Sequence, residues 1–190
     1  NNSSQYIRLF GLKGIGQIGA KELFRQWYIL YRRPIWSNQP FQERKDNYIF
    51  FSGSIWKKEP EANMLRAQFI QACKSNPAVR FEGGMIPRTD GDLCGVPADV
   101  LDRKYTPDEF SQKSAQSFLG FNNPAVLDAV SWRLAEYWNY GCIVLSLPFK
   151  IDLPIHPIHG ESIHLVRNGD ELPEAIDYII SNPDYREKLA

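Results

Sequence analysis

The amino-acid sequence predicts an α/β fold, a Rossmann-like parallel sheet flanked by helices. Strand-type and helix-type segments alternate from residue 48 to the end of the chain, which is the pattern of parallel strands joined by helical crossovers. The stretch 128–148 contains one such unit, an amphipathic helix that Gly141 ends and a wholly apolar strand, 142–147. A strand of this composition is typical of the centre of a sheet that is covered on both faces. Since ligands of such sheets bind at the ends of these units, the pattern also predicts where a site would lie.

The first predicted elements lead into the sheet. A helix is expected over 20–32, and the residues from there to 47, with two prolines and little periodicity, indicate a linker. The aromatic run 48–52 predicts a strand that Gly53 ends. The apolar stripe of 60–75 then predicts a helix.

The later elements follow the same alternation. The charged residues 86–104 indicate a long loop, and Thr106 before Pro107 predicts a helix start, because a hydroxyl caps the first amides and proline suits the first helical position. The other predicted elements are a strand over 79–82 that Gly83 and Gly84 stop, a strand over 117–121, a strand over 162–166, a helix over 172–180 and a helical tail over 182–189.

The chain is predicted to comprise two parts. These are an N-terminal segment with an inter-domain linker, 1–46, and a Rossmann-like nucleotide-sugar-binding domain, 47–190. The chain begins with Asn1 rather than Met and ends inside a helix-like tail. We therefore expect it to be a piece of a longer protein.

Composition narrows the class of protein. Lys+Arg and Asp+Glu both total 22 among 190 residues, so no net field attracts nucleic acid and no such partner is expected. The three cysteines are widely spaced and indicate reduced thiols rather than a disulfide framework. No apolar run approaches the roughly 20 residues that span a bilayer, so no transmembrane segment is expected. A cytoplasmic protein, or one attached peripherally to a membrane, fits these features.

The unit 128–148 also carries a spaced motif. Asp128 is followed after seven residues by Glu136, within the run S-W-R-L-A-E, and then by Gly141 and the strand I-V-L-S-L-P. On these residues the chain from about 47 to 190 resembles the C-terminal, donor-binding domain of GT-B-fold retaining glycosyltransferases. The similarity is to the group 1 and exostosin-like enzymes with an R-L-x-E core, and the tail 182–189 is also similar to their last helices.

The resemblance implies a function in polysaccharide or glycoconjugate synthesis. It implies transfer of a sugar from a UDP- or GDP-type nucleotide-sugar to a hydroxyl acceptor, either a glycan or a lipid-linked glycan. It implies no bound metal and no cofactor besides this donor substrate. The acceptor-binding N-terminal domain would then be absent from this chain, and the catalytic residues stay unassigned.

Two carboxylates of the motif are candidate donor ligands. The resemblance implies that Glu136 accepts hydrogen bonds from the ribose hydroxyls, a role that suits an acceptor-only carboxylate. It also implies that Asp128 lies near the donor sugar, and Arg133, on the same helix, joins this candidate site. On spacing alone, the alternative is a solvated helix face with an ion pair between Arg133 and Glu136.

Residues after the first two predicted strands are candidate phosphate ligands. The resemblance implies a glycine turn at Gly53 and Ser54, where backbone approaches a ligand, and a basic residue beyond it, Lys57 or Lys58, on the diphosphate. Arg88 follows the second strand at the same sheet edge. A solvated loop is the alternative for each of these cations.

Two asparagines precede the motif helix. Asn122 and Asn123 are expected in the loop before it, where backbone amides at a helix N-terminus hold phosphate or sugar oxygens. A simple turn with an N-cap is the alternative.

Two other classes of protein stay open on sequence alone. One is an α/β nucleotide-binding or assembly module without catalysis. The other is an NAD-dependent oxidoreductase, because Gly14-x-Gly16-x-x-Gly19 matches the dinucleotide fingerprint. That fingerprint requires a preceding strand and an acid about 20 residues on, where only Gln39 is found, so a flexible turn is favoured.

The late histidines give a weak metal signal. His156, His159 and His164 are close in sequence, but Pro154 and Pro157 prevent a helical register and no cysteine is nearby. No metal site is expected.

Overall fold

The chain divides into two compact units, 1–35 and 36–190. The structure is a computed structural model that describes residues 19–32, 46–123, 129–153 and 155–189. The first unit contributes helix α1 (Ala20–Arg32), which has the predicted bounds and begins after Gly19, whose φ is +80°. The predicted division at residue 46 stays a prediction, since residues 33–45 lie outside the described ranges.

The second unit alternates strands and helices, which confirms the predicted α/β class. In chain order the elements are β1 (Tyr48–Ser54), α2 (Pro60–Ser75), β2 (Arg80–Ile86), α3 (Pro107–Gln116), β3 (Leu119–Asn122), α4 (Trp132–Asn139), β4 (Ile143–Ser146), β5 (His164–Leu165), α5 (Leu172–Ser181) and α6 (Pro183–Leu189). Short 3-10 turns lie at Ala98–Val100 and Gly169–Glu171. Every strand pairing is parallel.

Two parallel ladders meet at a seam between β1 and β3. One ladder is β1 with β2, and the other is β3 with β4 and β5. At the seam, the N–H of Phe118 donates to the carbonyl of Tyr48 at 2.9 Å, and the N–H of Phe50 donates to Ser117 Oγ at 2.9 Å. The Ser117 hydroxyl thus takes the place of a backbone acceptor. The strands follow the order β2-β1-β3-β4-β5.

This order contains a topological reversal at the seam. The chain moves outward from β1 to β2, and then returns to build β3, β4 and β5 on the other side of β1. In open parallel sheets the crevice outside the carboxyl ends of the strands at such a reversal is where ligands bind. The residues at the ends of β1 and β3 are therefore the first place to look for a site.

The first two strands are longer than predicted, and the expected stops at glycines are wrong. β1 continues through Gly53 to Ser54, and β2 continues through Gly83 and Gly84 to Ile86, because each residue pairs with the partner strand. Gly83 has a φ of +109°, and a Cβ there would lie 2.1 Å from the Phe51 carbonyl oxygen. These glycines permit close strand approach rather than ending the strands.

An aromatic core joins α2 to both ladders. The Phe69 ring stacks on Phe121 with centroids 4.5 Å apart, and it meets Phe51 edge-on at 5.5 Å. All three rings are buried, and each buried phenylalanine contributes about 2 kcal/mol from removal of apolar surface from water. This cluster fixes α2 over the seam and so positions the side chains on its first turns.

Helix starts were predicted with mixed success. Thr106 forms a capping box with Glu109, as the first-turn pattern predicts for α3. The motif helix α4 begins only at Trp132, with Ser131 as N-cap, so the prediction that it starts near residue 128 is wrong. The strand predicted over 162–166 is reduced to two residues because it pairs only with the end of β4.

Among the described residues, the helices lack the combination of length and apolar composition that crossing a membrane requires.

Candidate functional site at the topological reversal

Gly53 lies at the centre of a cluster of cations beside the seam. It is a buried residue of β1, paired with Met85, one position before the strand ends. A Cβ at this position would lie 3.3 Å from Arg66 Nη1 and 3.6 Å from Arg133 Nη2. Two guanidinium groups from different helices therefore meet over the backbone of one glycine.

Arg66 enters the site from the second turn of α2. Its Nε donates to the Ala62 carbonyl at 2.9 Å, Nη1 to the Ser54 carbonyl at 2.9 Å, and Nη2 to Asn63 Oδ1 at 2.5 Å. The guanidinium also lies 4.0 Å from the centroid of the Trp56 ring. With only 2% of its surface exposed, Arg66 is a buried cation that neutral oxygens and an aromatic face hold in place.

Arg133 reaches the same point from the first turn of α4. The hydroxyl of Ser131 accepts from the Arg133 N–H at 3.3 Å, which sets the start of the helix. The Arg133 Nη2 donates to the Ser52 carbonyl at 2.5 Å, and its Cζ lies 5.1 Å from the Phe51 ring and 5.5 Å from the Phe110 ring. The side chain thus crosses the seam from one ladder to the other.

The two guanidiniums form a positive pair that is not ion-paired with a carboxylate of the described residues. Among the described residues, no carboxylate makes an ion pair with Arg66 or with Arg133. Burial, and secondarily the charge of Arg133, lowers the pKa of Arg66 to about 9. Like charges at this separation destabilise each other, and a bound anion would relieve that repulsion.

Glu136 lies one turn beyond Arg133 on the buried face of α4. Only 2% of its surface is exposed, and its Oε2 has no hydrogen-bond partner. Burial raises the pKa of Glu136 to about 7, although the Arg133 charge opposes this rise. An ion pair between the two residues, the alternative weighed from the sequence, is not formed. An acceptor oxygen without a donor is costly inside a protein, so a ligand with hydroxyl or N–H donors would satisfy it.

Close packing of α4 on β3 places these groups at the sheet edge. A Cβ at Gly120 would lie 2.4 Å from the Tyr137 ring, so the absence of a side chain lets the helix approach the strand. Because α4 runs against the strands, its first turn lies at their carboxyl ends. Arg133 therefore reaches the end of β1, and Glu136 lies one turn deeper.

Asn122 adds a second unsatisfied acceptor at the same edge. The sequence predicts Asn122 in the loop before the motif helix, and this is wrong. Asn122 is the last residue of β3, because it continues the strand pairing opposite Ser146. Its Nδ2 donates to Ser146 Oγ at 2.9 Å, while its buried Oδ1 has no partner. A small recess beside them is lined by Ala129, Val130, Pro148 and Phe149 among others. The recess adjoins the ends of β3 and β4.

The other predicted cations differ in their surroundings. Lys57 and Lys58 occupy an exposed turn after β1, and Ser54 is exposed at the strand end. Arg88 follows β2, where it makes a two-pronged hydrogen-bonded ion pair with Asp90 at 2.9 and 2.5 Å. Its charge is therefore already compensated. The predicted roles of these four residues on the donor stay predictions.

Of the remaining candidate residues, only Asn123 lies in the part of the chain that the structure describes. Asp128 lies outside the described residues, so its predicted place near the donor sugar is untested. Asn123 is buried directly after β3, and its predicted role stays a prediction. Gly14 and Gly16 of the dinucleotide fingerprint also lie outside the described residues.

Arg66 is the residue of this cluster that sequence reasoning missed. The predicted apolar stripe of α2 included Phe69 and Cys73, and Arg66 falls three residues before Phe69 on the same buried face. A charged residue in register with an apolar stripe was the available signal. It is distinctive because arginine is almost never fully buried unless it is paired.

Two of the late histidines, His159 and His164, form part of an aromatic cluster with Tyr178 and Tyr185. His164 Nδ1 is 2.9 Å from the Tyr185 hydroxyl, and His159 Nδ1 accepts from the Leu165 N–H at 2.9 Å. Burial, and secondarily His159, lowers the pKa of His164. Among the described residues, no group of three metal-ligating side chains is found here or elsewhere.

The fold and site together define a Rossmann-like parallel α/β domain with a polar crevice at its topological reversal. The structure is similar to the C-terminal domain of a glycosyl transferase group 1 family protein (LpcC) from Francisella tularensis. The two are 16% identical, the TM-score is 0.48, and the match covers 76% of this chain and 80% of that one. No family model and no curated protein matches the sequence significantly.

Proposed function

We propose that the second unit binds a nucleotide-sugar and serves as the donor half of a glycosyltransferase. The sugar would pass from a UDP- or GDP-type donor to a hydroxyl acceptor, with the acceptor held by a separate domain. The observation that carries the proposal is the pair of guanidinium groups of Arg66 and Arg133, which lie together over Gly53 at the topological reversal.

A diphosphate matches the charge and position of this pair. Diphosphate carries at least two negative charges, and guanidinium forks match phosphate oxygens in geometry. Arg133 is partly exposed and would contact the diphosphate directly. Arg66 is buried and would contribute positive electrostatic potential to the site. In a transfer reaction the same charges would stabilise the departing diphosphate, the group on which negative charge develops.

Unsatisfied acceptors support a ligand that also carries hydroxyl groups. Glu136 Oε2 and Asn122 Oδ1 are buried oxygens without donors. A carboxylate next to a cation pair would accept from ribose hydroxyls while the diphosphate engages the arginines. The proposal also keeps six further candidate donor ligands predicted from the sequence: Ser54, Lys57, Lys58, Arg88, Asp128 and Asn123.

Calorimetric titration with UDP, GDP and ADP tests the proposal. We expect one nucleotide to bind, and Arg133→Gln to weaken binding about tenfold or more, since a charge-assisted hydrogen bond contributes about 1.5–3 kcal/mol. Arg167→Gln is the matched control. Arg167 lies far along the chain from Arg133, is exposed, and pairs with Glu171. Glu136→Ala should also weaken binding, and Glu174→Ala should not.

The outcomes separate the classes of protein. No binding to any of the three nucleotides would overturn the proposal and favour an assembly module. Binding that Arg133→Gln leaves unchanged would place the nucleotide elsewhere. The chain by itself should bind donor without transferring sugar, so measurable turnover by these 190 residues would contradict the donor-half assignment.

A further inference from the structure

Helix α1 carries an aromatic ridge that the nucleotide site does not use. The ridge consists of Phe24, Trp27 and Tyr31, whose exposed fractions are 65%, 50% and 75%. The rings contact one another: Phe24 and Trp27 have centroids 5.8 Å apart, and Trp27 and Tyr31 stack at 5.5 Å. At 100° per residue these three positions fall within about 60° of one another around the helix. Exposed aromatic area of this kind, gathered on one stripe, marks an interaction surface.

Basic residues border the ridge. Lys21 and Arg25 fall on the flank of the stripe formed by Phe24 and Tyr31, on one side of the helix. Arg25 donates to the Glu22 carboxylate at 2.9 and 2.7 Å, which orients its side chain along the helix. The helix therefore presents aromatic rings beside the Lys21 ammonium group and an ion pair between Arg25 and Glu22.

The charge of the chain is divided between its two units. Residues 1–35 contain six basic residues and one acid, a net charge of +5, so the rest of the neutral chain carries −5. An anionic surface would attract the first unit and repel the second. The division therefore favours a negatively charged partner for the first unit.

We propose that α1 is an interfacial helix that attaches the protein to an anionic lipid bilayer. Trp and Tyr rings are favoured at the headgroup level, where one edge is apolar and the other is wet, and neighbouring cations meet anionic lipid phosphates. With 13 residues, α1 is shorter than the roughly 20 that span a bilayer and would lie in the interface plane. The cores of protein–protein interfaces, by contrast, are depleted of charged residues.

Vesicle co-sedimentation of the full chain tests this proposal. The vesicles are phosphatidylcholine alone, and phosphatidylcholine with phosphatidylglycerol in roughly equal parts. We expect binding to the mixed vesicles to exceed binding to the neutral ones at least about tenfold and to weaken with salt, since each basic residue near the surface contributes roughly fivefold. The emission of the five tryptophans should shift to the blue on binding, and Trp27→Phe should reduce that shift while keeping attachment.

Matched variants distinguish binding by the aromatic ridge from nonspecific hydrophobic binding. The triple variant Phe24→Ser/Trp27→Ser/Tyr31→Ser should lose binding about tenfold or more. The control Ile151→Ser/Ile155→Ser/Ile158→Ser removes three exposed apolar side chains of the second unit and should bind as the parent does.

Charge reversal gives a second comparison that leaves the ridge intact. Lys21→Glu should weaken binding several-fold, whereas Lys188→Glu, an exposed residue of the second unit, should not. Circular dichroism of each variant checks that the fold is kept.

The proposal is overturned if neutral and anionic vesicles bind equally, if both triple variants lose binding to the same extent, or if the protein binds neither vesicle. Capture of the aromatic ridge by a protein partner without vesicle binding would have the same consequence. None of these outcomes depends on nucleotide binding. The membrane proposal and the nucleotide-sugar proposal can therefore be refuted independently of each other.

Discussion

The buried carboxyl of Glu136 makes the stability of the domain depend on pH in a direction opposite to that of a salt-bridged acid. Burial raises the pKa of Glu136 from 4.5 to about 7. Between these values the folded protein binds more protons at this site than the unfolded chain does. The free energy of unfolding therefore falls as pH rises through this interval and is fully reduced above about pH 7.

The size of the effect follows from the two pKa values. At about 1.4 kcal/mol for each pH unit between 4.5 and 7, the ionised carboxylate costs the fold about 3 kcal/mol. Glu136→Gln keeps the shape and removes the ionisation. We expect the variant to exceed the parent in unfolding free energy by about 3 kcal/mol more at pH 8 than at pH 4.5.

Urea denaturation at pH 4.5, 6 and 8 measures this difference. Glu174→Gln, on the exposed face of α5, is the control and should show no comparable pH dependence in its difference from the parent. A Glu136→Gln effect that is constant across the pH range would refute the argument, because it would mean that the carboxyl ionises normally in the fold.

Three further substitutions test local features of the second unit. Thr106→Ala removes the N-cap of α3 and should cost about 1 kcal/mol in unfolding free energy, measured by urea denaturation. Gly83→Ala should prevent stable folding, seen as loss of the cooperative thermal transition, because its Cβ would lie 2.1 Å from the Phe51 carbonyl at a φ of +109°. Ser117→Ala leaves the buried N–H of Phe50 without an acceptor and should cost about 1–3 kcal/mol by the same denaturation assay.

Exposed residues provide the controls for these substitutions. Thr89→Ala and Ser181→Ala should each change the unfolding free energy by less than about 0.5 kcal/mol. Equal losses in Thr106→Ala and Thr89→Ala would contradict the capping argument. A Gly83→Ala variant that unfolds cooperatively at the parent's temperature would show that the β1–β2 ladder tolerates a side chain there.

Patterns local in the sequence predicted the bounds of several helices, although not the start of α4. α1 and α2 have the bounds expected from periodicity and from the prolines and polar residues around them, and Thr106 begins α3 as expected. The strand ends were less predictable, because Gly53 and Gly83 lie where a neighbouring strand continues to pair. Whether glycine ends a strand or admits a close neighbour depends on contacts that are distant in sequence.

The candidate site was predicted only in part. Glu136 and Arg133 are on one helix, as the motif indicates, and Arg133 reaches the end of β1. Arg66 was missed because its burial depends on carbonyl oxygens of Ser54 and Ala62 that converge only in the fold. The compensation of Arg88 by Asp90 is equally invisible in the sequence, where the pair is two residues of a charged loop.

The positions of Arg66 and Arg133 on either side of the seam connect ligand binding with the stiffness of the sheet. Arg66 is carried by the helix that follows β1, and Arg133 by the helix that precedes β4, so each ladder contributes one of the two repelling charges. A hydrogen bond from a backbone N–H to the Ser117 hydroxyl and one backbone–backbone hydrogen bond join the two ladders near the amino ends of β1 and β3, at the opposite end of the strands from the arginines. An anion between the arginines would replace their mutual repulsion with attraction and so add a link between the two ladders at the carboxyl ends of the strands. Occupancy of the crevice and stiffness of the sheet would then rise together.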